Sequence, residues 1–125
     1  MELGEADATN RFGFHLNDSG FKNSLWDQNQ GAYVGAWNNE ALTAWSHVIA
    51  VIDRSTNPSR SIIYINGTQN GQPKGYYFKG DWPNAVFHIG RRGNSLGFVG
   101  SLALVKIYNY PFTETEALNL YNSEK

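Results

Sequence analysis

Residues Gly97–Asn122, GFVGSLALVKIYNYPFTETEALNLYN, carry a strand pattern, a stop signal and a helix start in direct succession. Phe98, Gly100, Leu102 and Leu104 alternate with Val99, Ser101, Ala103, Val105 and Ile107, so both faces of an extended segment are largely apolar. Such a strand expects a layer on each side, because neither face gains from contact with water. Pro111 cannot donate to a ladder and ends it. Thr113 and Glu116 then stand at capping-box spacing, with Phe112 and Ala117 placed as a hydrophobic staple. The spacing predicts barely two turns of helix, too short to persist alone in water. It must therefore dock, with Ala117, Leu118, Leu120 and Tyr121 as its apolar side. The pattern is that of a β-structure plugged by a terminal helix.

Composition supports this. The 125 residues suit one domain, 1–125, with residues 1–10 expected to fray. Charged residues are 17% of the chain, below the usual quarter or so, and Gly, Asn and Ser abound, as turn-rich β proteins require. A net charge of −1 gives no electrostatic case for nucleic acid. No apolar run approaches the roughly 18 residues of a membrane span. The start, MELGEADATN, has neither the basic nor the apolar region of a signal peptide. With no cysteine, disulfides and thiolate chemistry are excluded, while the compartment stays open.

Outward from the deciding segment, short strand patterns alternate with turn signals. RFGFHL (Arg11–Leu16) reads as a strand closed by Asn17-Asp18-Ser19-Gly20, and AYVGAW (Ala32–Trp37) as another. FKNSLWDQNQG shows no dominant period, and NNEALTA reads as a surface loop. WSHVIAVID (Trp45–Asp53) is continuously apolar from Val48 to Ile52, which predicts a central strand with Trp45 in the core. SIIYI runs into Asn66-Gly67, the strongest hairpin signal in the chain. TQNGQPKG reads as a loop, YYF as a short strand, and AVFHIG as a strand before an Arg-Arg-Gly-Asn turn. This spacing of short strands predicts an antiparallel sandwich or jelly roll.

Four of these pieces stand in a recognisable order: W-S-H-V-I-A-V-I-D, I-I-Y-I-N-G, F-H-I-G, and the segment from Gly97 to Asn122. Together they resemble the laminin-G-like branch of the concanavalin A-like lectin/glucanase superfamily, from about Trp45 to Asn122 and less clearly back to Arg11. The resemblance implies an all-β fold, two antiparallel sheets in a concanavalin A-like jelly-roll sandwich, with a short C-terminal helix over one end. It also implies strands before RFGFHL that this chain barely offers. Two outcomes are expected: the N-terminal residues double back as an edge strand, or a strand is shared with a neighbouring chain or through self-assembly.

Hydrolytic chemistry would need ionisable residues grouped in one place. Glucanases of the superfamily cut with carboxylates grouped on one strand, which places acid and nucleophile across one glycosidic bond. Here the Asp and Glu residues are scattered, and no two share an expected strand, so the sequence predicts no enzyme. His15, His47 and His88 lack metal-ligand spacing, and His47, at the W-x-H position, reads as a structural hydrogen-bonded residue. Laminin-G-like domains commonly bind calcium at a loop rim. Asn17, Asp18 and Asp81 are the candidate oxygen donors, and calcium is the one cofactor the resemblance suggests.

Aromatic residues are the better lead, since sugar C–H faces stack on Trp and Tyr while Asn and Asp bond the hydroxyls. Candidate ligand contacts are Trp82, Tyr77, Tyr76, Asp81, Asn84 and Trp37. The expected function is a non-catalytic surface module binding a glycan or a surface protein. The alternatives are a structural module of a virion or other surface assembly, and a degenerate relative of the glycoside hydrolases. The expected location is extracellular, on a cell surface or on a virion.

Overall fold

Asn66-Gly67 organises the best-defined part of the sheet. Their φ angles, 51° and 77°, are both positive, as a two-residue hairpin turn matching strand twist requires. The turn joins β6 (Ser59–Ile65) to β7 (Thr68–Tyr76), with Ile65 opposite Thr68. The computed structural model describes residues 2–3, 12–16, 23–27, 37–38, 40–76, 87–92 and 96–125.

β7 corrects the loop expected over TQNGQPKG. Its side chains are polar, but pairing with β6 holds the backbone extended, and ladder bonding does not depend on side-chain apolarity. The ladder shifts register between Ser61 and Ile63, opposite the stretch containing Pro73. A residue without an N–H is tolerated at such an irregularity. On the other side of β6 lies β5 (Val48–Asp53), paired from Val48↔Ile65 to Asp53↔Arg60. The connecting turn is held by Asp53, whose Oδ1 accepts from the Ser55 amide at 3.0 Å and from its hydroxyl.

The N-terminal half supplies β2 (Phe12–Leu16) and β3 (Asn23–Asp27), paired from Phe12↔Asp27 to Leu16↔Asn23. β3 also pairs with β4 (Trp37–Asn38). Residues expected to fray include a short strand, β1 (Glu2–Leu3), which lies between β2 and β8 (Phe87–His88). The Arg-Arg turn of the sequence reading is instead part of a small ribbon, β9 (Arg91–Arg92) with β10 (Leu96–Gly97).

Among the described residues, eight strands form one antiparallel sheet in the order β5-β6-β7-β4-β3-β2-β1-β8. Its halves meet at a single register pair, Trp37↔Gln72. Phe14 of β2 and Leu25 of β3 nonetheless share a buried cluster with Ile63 of β6. In a flat sheet β3 and β6 would be three strand spacings, about 14 Å, apart. The sheet therefore curls until β2 and β3 face β5 and β6, with Leu16, Val48, Ile52 and Ile65 packed against the buried cluster.

The opposite face of β5 and β6 carries Val51, Ile62 and Tyr64, and the helix covers it through Phe112 and Ala117. Helix α1 spans Glu114–Glu124, eleven residues and thus a turn longer than the sequence reading gives. Its start follows that reading: the Glu116 amide donates to Thr113 Oγ1, and the Thr113 amide donates to the Glu116 carboxylate at 2.8 Å. Phe112 and Ala117 are both buried in one cluster, as a staple predicts. Burying a large apolar side chain stabilises by roughly 1.5–3 kcal/mol, which is what a helix of this length needs to persist.

Three expectations are overturned. Among the described residues β5 is an edge strand, not a central one: its continuous apolar run is covered by α1 on one face and the curled sheet on the other, and burial of the faces says nothing about the edge. Trp45 lies in the loop before β5 and is 72% exposed, so it is not core. The segment from Phe98 to Tyr108 is not a strand, because no described strand lies beside it to form a ladder.

Candidate functional site

The sequence-derived ligand contacts are not assembled by the described residues. Trp82, Tyr77, Asp81 and Asn84, together with the calcium candidates Asn17 and Asp18, lie outside them. Tyr76 is the last residue of β7, opposite Ser59. Trp37 is on β4, opposite Ser24 on one side and Gln72 on the other. Tyr76 lies four positions along β7 from Gln72, about 13 Å. Among the described residues, no group of three His, Asp or Glu side chains converges as a metal site.

Two features in the C-terminal part of the chain were not anticipated. The first is a polar junction at the end of α1. Glu124 sits where the helix dipole is negative, an unfavourable place for a carboxylate. Two side chains answer it: Lys106 Nζ bonds Glu124 Oε1, and His47 Nε2 lies 3.1 Å from Oε2. The bond from Lys106 holds the Glu124 carboxyl below its usual range, and the same bond raises the Lys106 ammonium. His47 is placed by its own backbone, whose N–H donates to Asn66 Oδ1 at 3.0 Å and whose carbonyl accepts from the Asn66 amide at 2.8 Å. Its ring also meets Tyr121, with centroids 5.9 Å apart. The structural role expected for His47 is thus what the structure shows: it ties the hairpin turn to the helix end.

The second feature is the segment running from β10 into the helix. Phe98 is tied back by its amide to the Gly90 carbonyl at 2.7 Å, and Lys106 by its ion pair to Glu124. Between and beyond these anchors the apolar side chains stand in solvent: Val99 is 99% exposed, Leu104 65% and Ile107 71%. At the far end Tyr108 and Tyr110 pack on the buried Phe112, Tyr108 edge-on at 4.7 Å and Tyr110 stacked at 5.1 Å. Both tyrosines remain substantially exposed.

With Leu102, these residues make a run of exposed large apolar side chains within one short segment, unlike the singly scattered exposed hydrophobics that need no explanation. Lys106 is the one charged residue from Gly97 to Tyr110, and it is already paired. What this surface can do chemically is exclude water against another apolar surface. The sequence carries this signal as alternation on two apolar faces, which by itself predicts a strand covered on both sides.

Residues 2–117 match the laminin-G family model of the concanavalin A-like lectin/glucanases superfamily. No curated protein and no solved structure matches the chain.

Proposed function

The chain belongs to the concanavalin A-like lectin/glucanases superfamily, and from that premise we propose that it is a non-catalytic surface module that binds a protein through Val99–Tyr110. The curled antiparallel sheet is read as the two-sheet jelly roll of the superfamily, with α1 closing one end. One observation carries the choice of ligand class: the exposed run is long, apolar and almost uncharged. Sugar recognition needs polar groups converging beside an aromatic face, and Val99–Ile107 presents aliphatic side chains instead. A location outside the cell, or on a cell or virion surface, follows from the same reading, since that is where laminin-G-like modules commonly work.

The test is a hydrophobic dye such as ANS on the wild-type chain and on Leu104→Asp/Ile107→Asp. The wild type should bind dye, and the double variant should lose most of the signal while keeping its far-UV CD spectrum. Equal dye binding by both would place the exposed surface elsewhere and overturn the reading. Glycan recognition at Trp82, Tyr77, Tyr76, Asp81, Asn84 and Trp37, with calcium at Asn17, Asp18 and Asp81, is the competing proposal. A glycan-array signal weakened more than tenfold by Trp82→Ala, or reproducible turnover of a β-glucan, would displace the protein-binding reading.

A further inference from the structure

We propose that Asn66 is a site of spontaneous deamidation gated by α1: the reaction is held off while the helix rests on the β6–β7 turn and proceeds when the helix lifts. The chain contains two Asn-Gly pairs, 66–67 and 70–71. In such a pair the backbone nitrogen of the glycine attacks the asparagine Cγ, with no side chain in its way. The new C–N bond closes a succinimide ring, the bond from Cγ to Nδ2 breaks, and ammonia leaves with the proton that the glycine nitrogen loses. Water then opens the ring at either carbonyl, giving aspartate or an isoaspartate whose backbone runs through the former side chain. Water is the only other reactant.

Asn66 is primed for that attack and kept from it. It is exposed, and its Oδ1 accepts from the His47 amide at 3.0 Å. That donor polarises the Cγ carbonyl and stabilises the negative charge that attack places on Oδ1. What is withheld is the nucleophile. With φ of 51° at Asn66 and 77° at Gly67, the turn directs the Gly67 nitrogen away from the Asn66 side chain. To reach Cγ the 66–67 peptide must turn over, and Gly67 lies flat against the helix. A Cβ there would be 2.9 Å from Leu118 Cδ1 and 3.2 Å from Leu118 Cα. The seated helix therefore closes the gate, and lifting α1 opens it. Asn70-Gly71 is the same dipeptide under a different restraint. Asn70 sits opposite Ile63 in the β6–β7 ladder, and its Nδ2 donates to Glu40 Oε2 at 3.3 Å. The product at Asn66 has a consequence of its own. An isoaspartate lengthens the turn by a methylene and displaces Oδ1 from His47, whose ring is paired with Glu124 at the end of α1. A reaction admitted by a raised helix thus removes part of what seats it.

The experiment follows aspartate and isoaspartate at positions 66 and 70 by peptide mapping and mass spectrometry during incubation in mildly alkaline buffer. The samples are the wild-type chain, the same chain unfolded in urea, and Thr113→Ala, which loosens the helix start without touching the turn. The Asn66 rate in the native chain should be roughly tenfold or more below its rate in urea. Thr113→Ala should raise the native Asn66 rate about fivefold, the factor that loss of the cap implies, and leave the Asn70 rate as it was. Leu118→Ala, which takes Cδ1 off Gly67, should raise the Asn66 rate as well. Far-UV CD checks that both variants keep the wild-type fold. Equal Asn66 rates in the native chain and in urea overturn the proposal, since nothing is then gated. Rates in both variants unchanged from wild type overturn it too, because the turn alone is then the restraint. An equal rise at Asn66 and Asn70 does the same, since global unfolding produces it.

Discussion

Gly67→Ala tests whether α1 is seated on the β6–β7 turn as the structure places it. Gly67 has φ 77°, in the left-handed region, and a Cβ there would lie 2.9 Å from Leu118 Cδ1, 3.0 Å from Tyr121 Cδ1 and 3.2 Å from Leu118 Cα. Two costs follow. The left-handed conformation costs an alanine roughly 1–2 kcal/mol, part of which is returned because alanine restricts the unfolded chain by about 0.4–1 kcal/mol. The collision is the second cost. Two of the neighbours are side-chain ends, but the third is helix backbone, so α1 must shift as a body, and overpacking of this kind costs typically 1–3 kcal/mol.

Gly90 supplies the control. Its φ is 74°, nearly the same, yet a Cβ there would meet only Leu102 Cδ1, at 4.0 Å. Gly90→Ala therefore carries the backbone cost without the collision. The expectation is about 1 kcal/mol for Gly90→Ala and about 2–4 kcal/mol for Gly67→Ala. Urea unfolding followed by CD measures both, with stability read from the midpoint at constant m. If the two variants lose the same stability to within about 0.5 kcal/mol, α1 does not rest on the turn.

Two further expectations concern the ends of the helix. Thr113→Ala removes the oxygen that accepts from the Glu116 amide and should lower stability by about 1 kcal/mol in the same urea assay. At the other end, the Glu124 carboxyl is held below its usual range by Lys106, so its contribution is complete above about pH 4.3, the unperturbed glutamate value, and is lost as pH falls through the depressed folded value. Glu124→Gln should therefore flatten the acid limb of Tm against pH, with no change in its slope above pH ~6 that a carboxylate would account for. An unaltered acid limb in the variant would show that the junction with Lys106 is not kept in solution.

What the sequence disclosed follows the range over which each signal acts. The capping box Thr113/Glu116, the staple Phe112/Ala117 and the Asn66-Gly67 turn were legible because each is decided by atoms a few residues apart, and the structure forms all three. β7 was not legible: Thr68, Gln69 and Asn70 show no apolar alternation, and the strand exists because β6 lies beside it. His47 was legible as a structural residue, though not its partner, since Glu124 is 77 positions away. Trp45 misled because aromatic bulk predicts burial only where a layer lies opposite, and here the side chain precedes β5 in an open loop. For the proposed glycan contacts, only Tyr76 and Trp37 fall among the described residues, and the register places them on neighbouring strands.

The segment from Val99 to Ile107 shows most clearly where sequence reading stops. Apolar residues on both faces state a need for burial on both faces, and that statement is local and correct. They do not state who meets the need, because alternation along one chain carries no information about which surface lies opposite. The same limit applies to β5, whose continuous apolar run is satisfied on its two faces by α1 and by the curled sheet, while no described strand lies along its outer edge. Face burial and edge pairing are separate requirements: side chains meet the first, backbone N–H and C=O groups the second. Among the described residues one segment lacks cover for its faces and another lacks a neighbour for its edge, and meeting the second need does not meet the first, because a strand added at an edge keeps both of its own faces as they were.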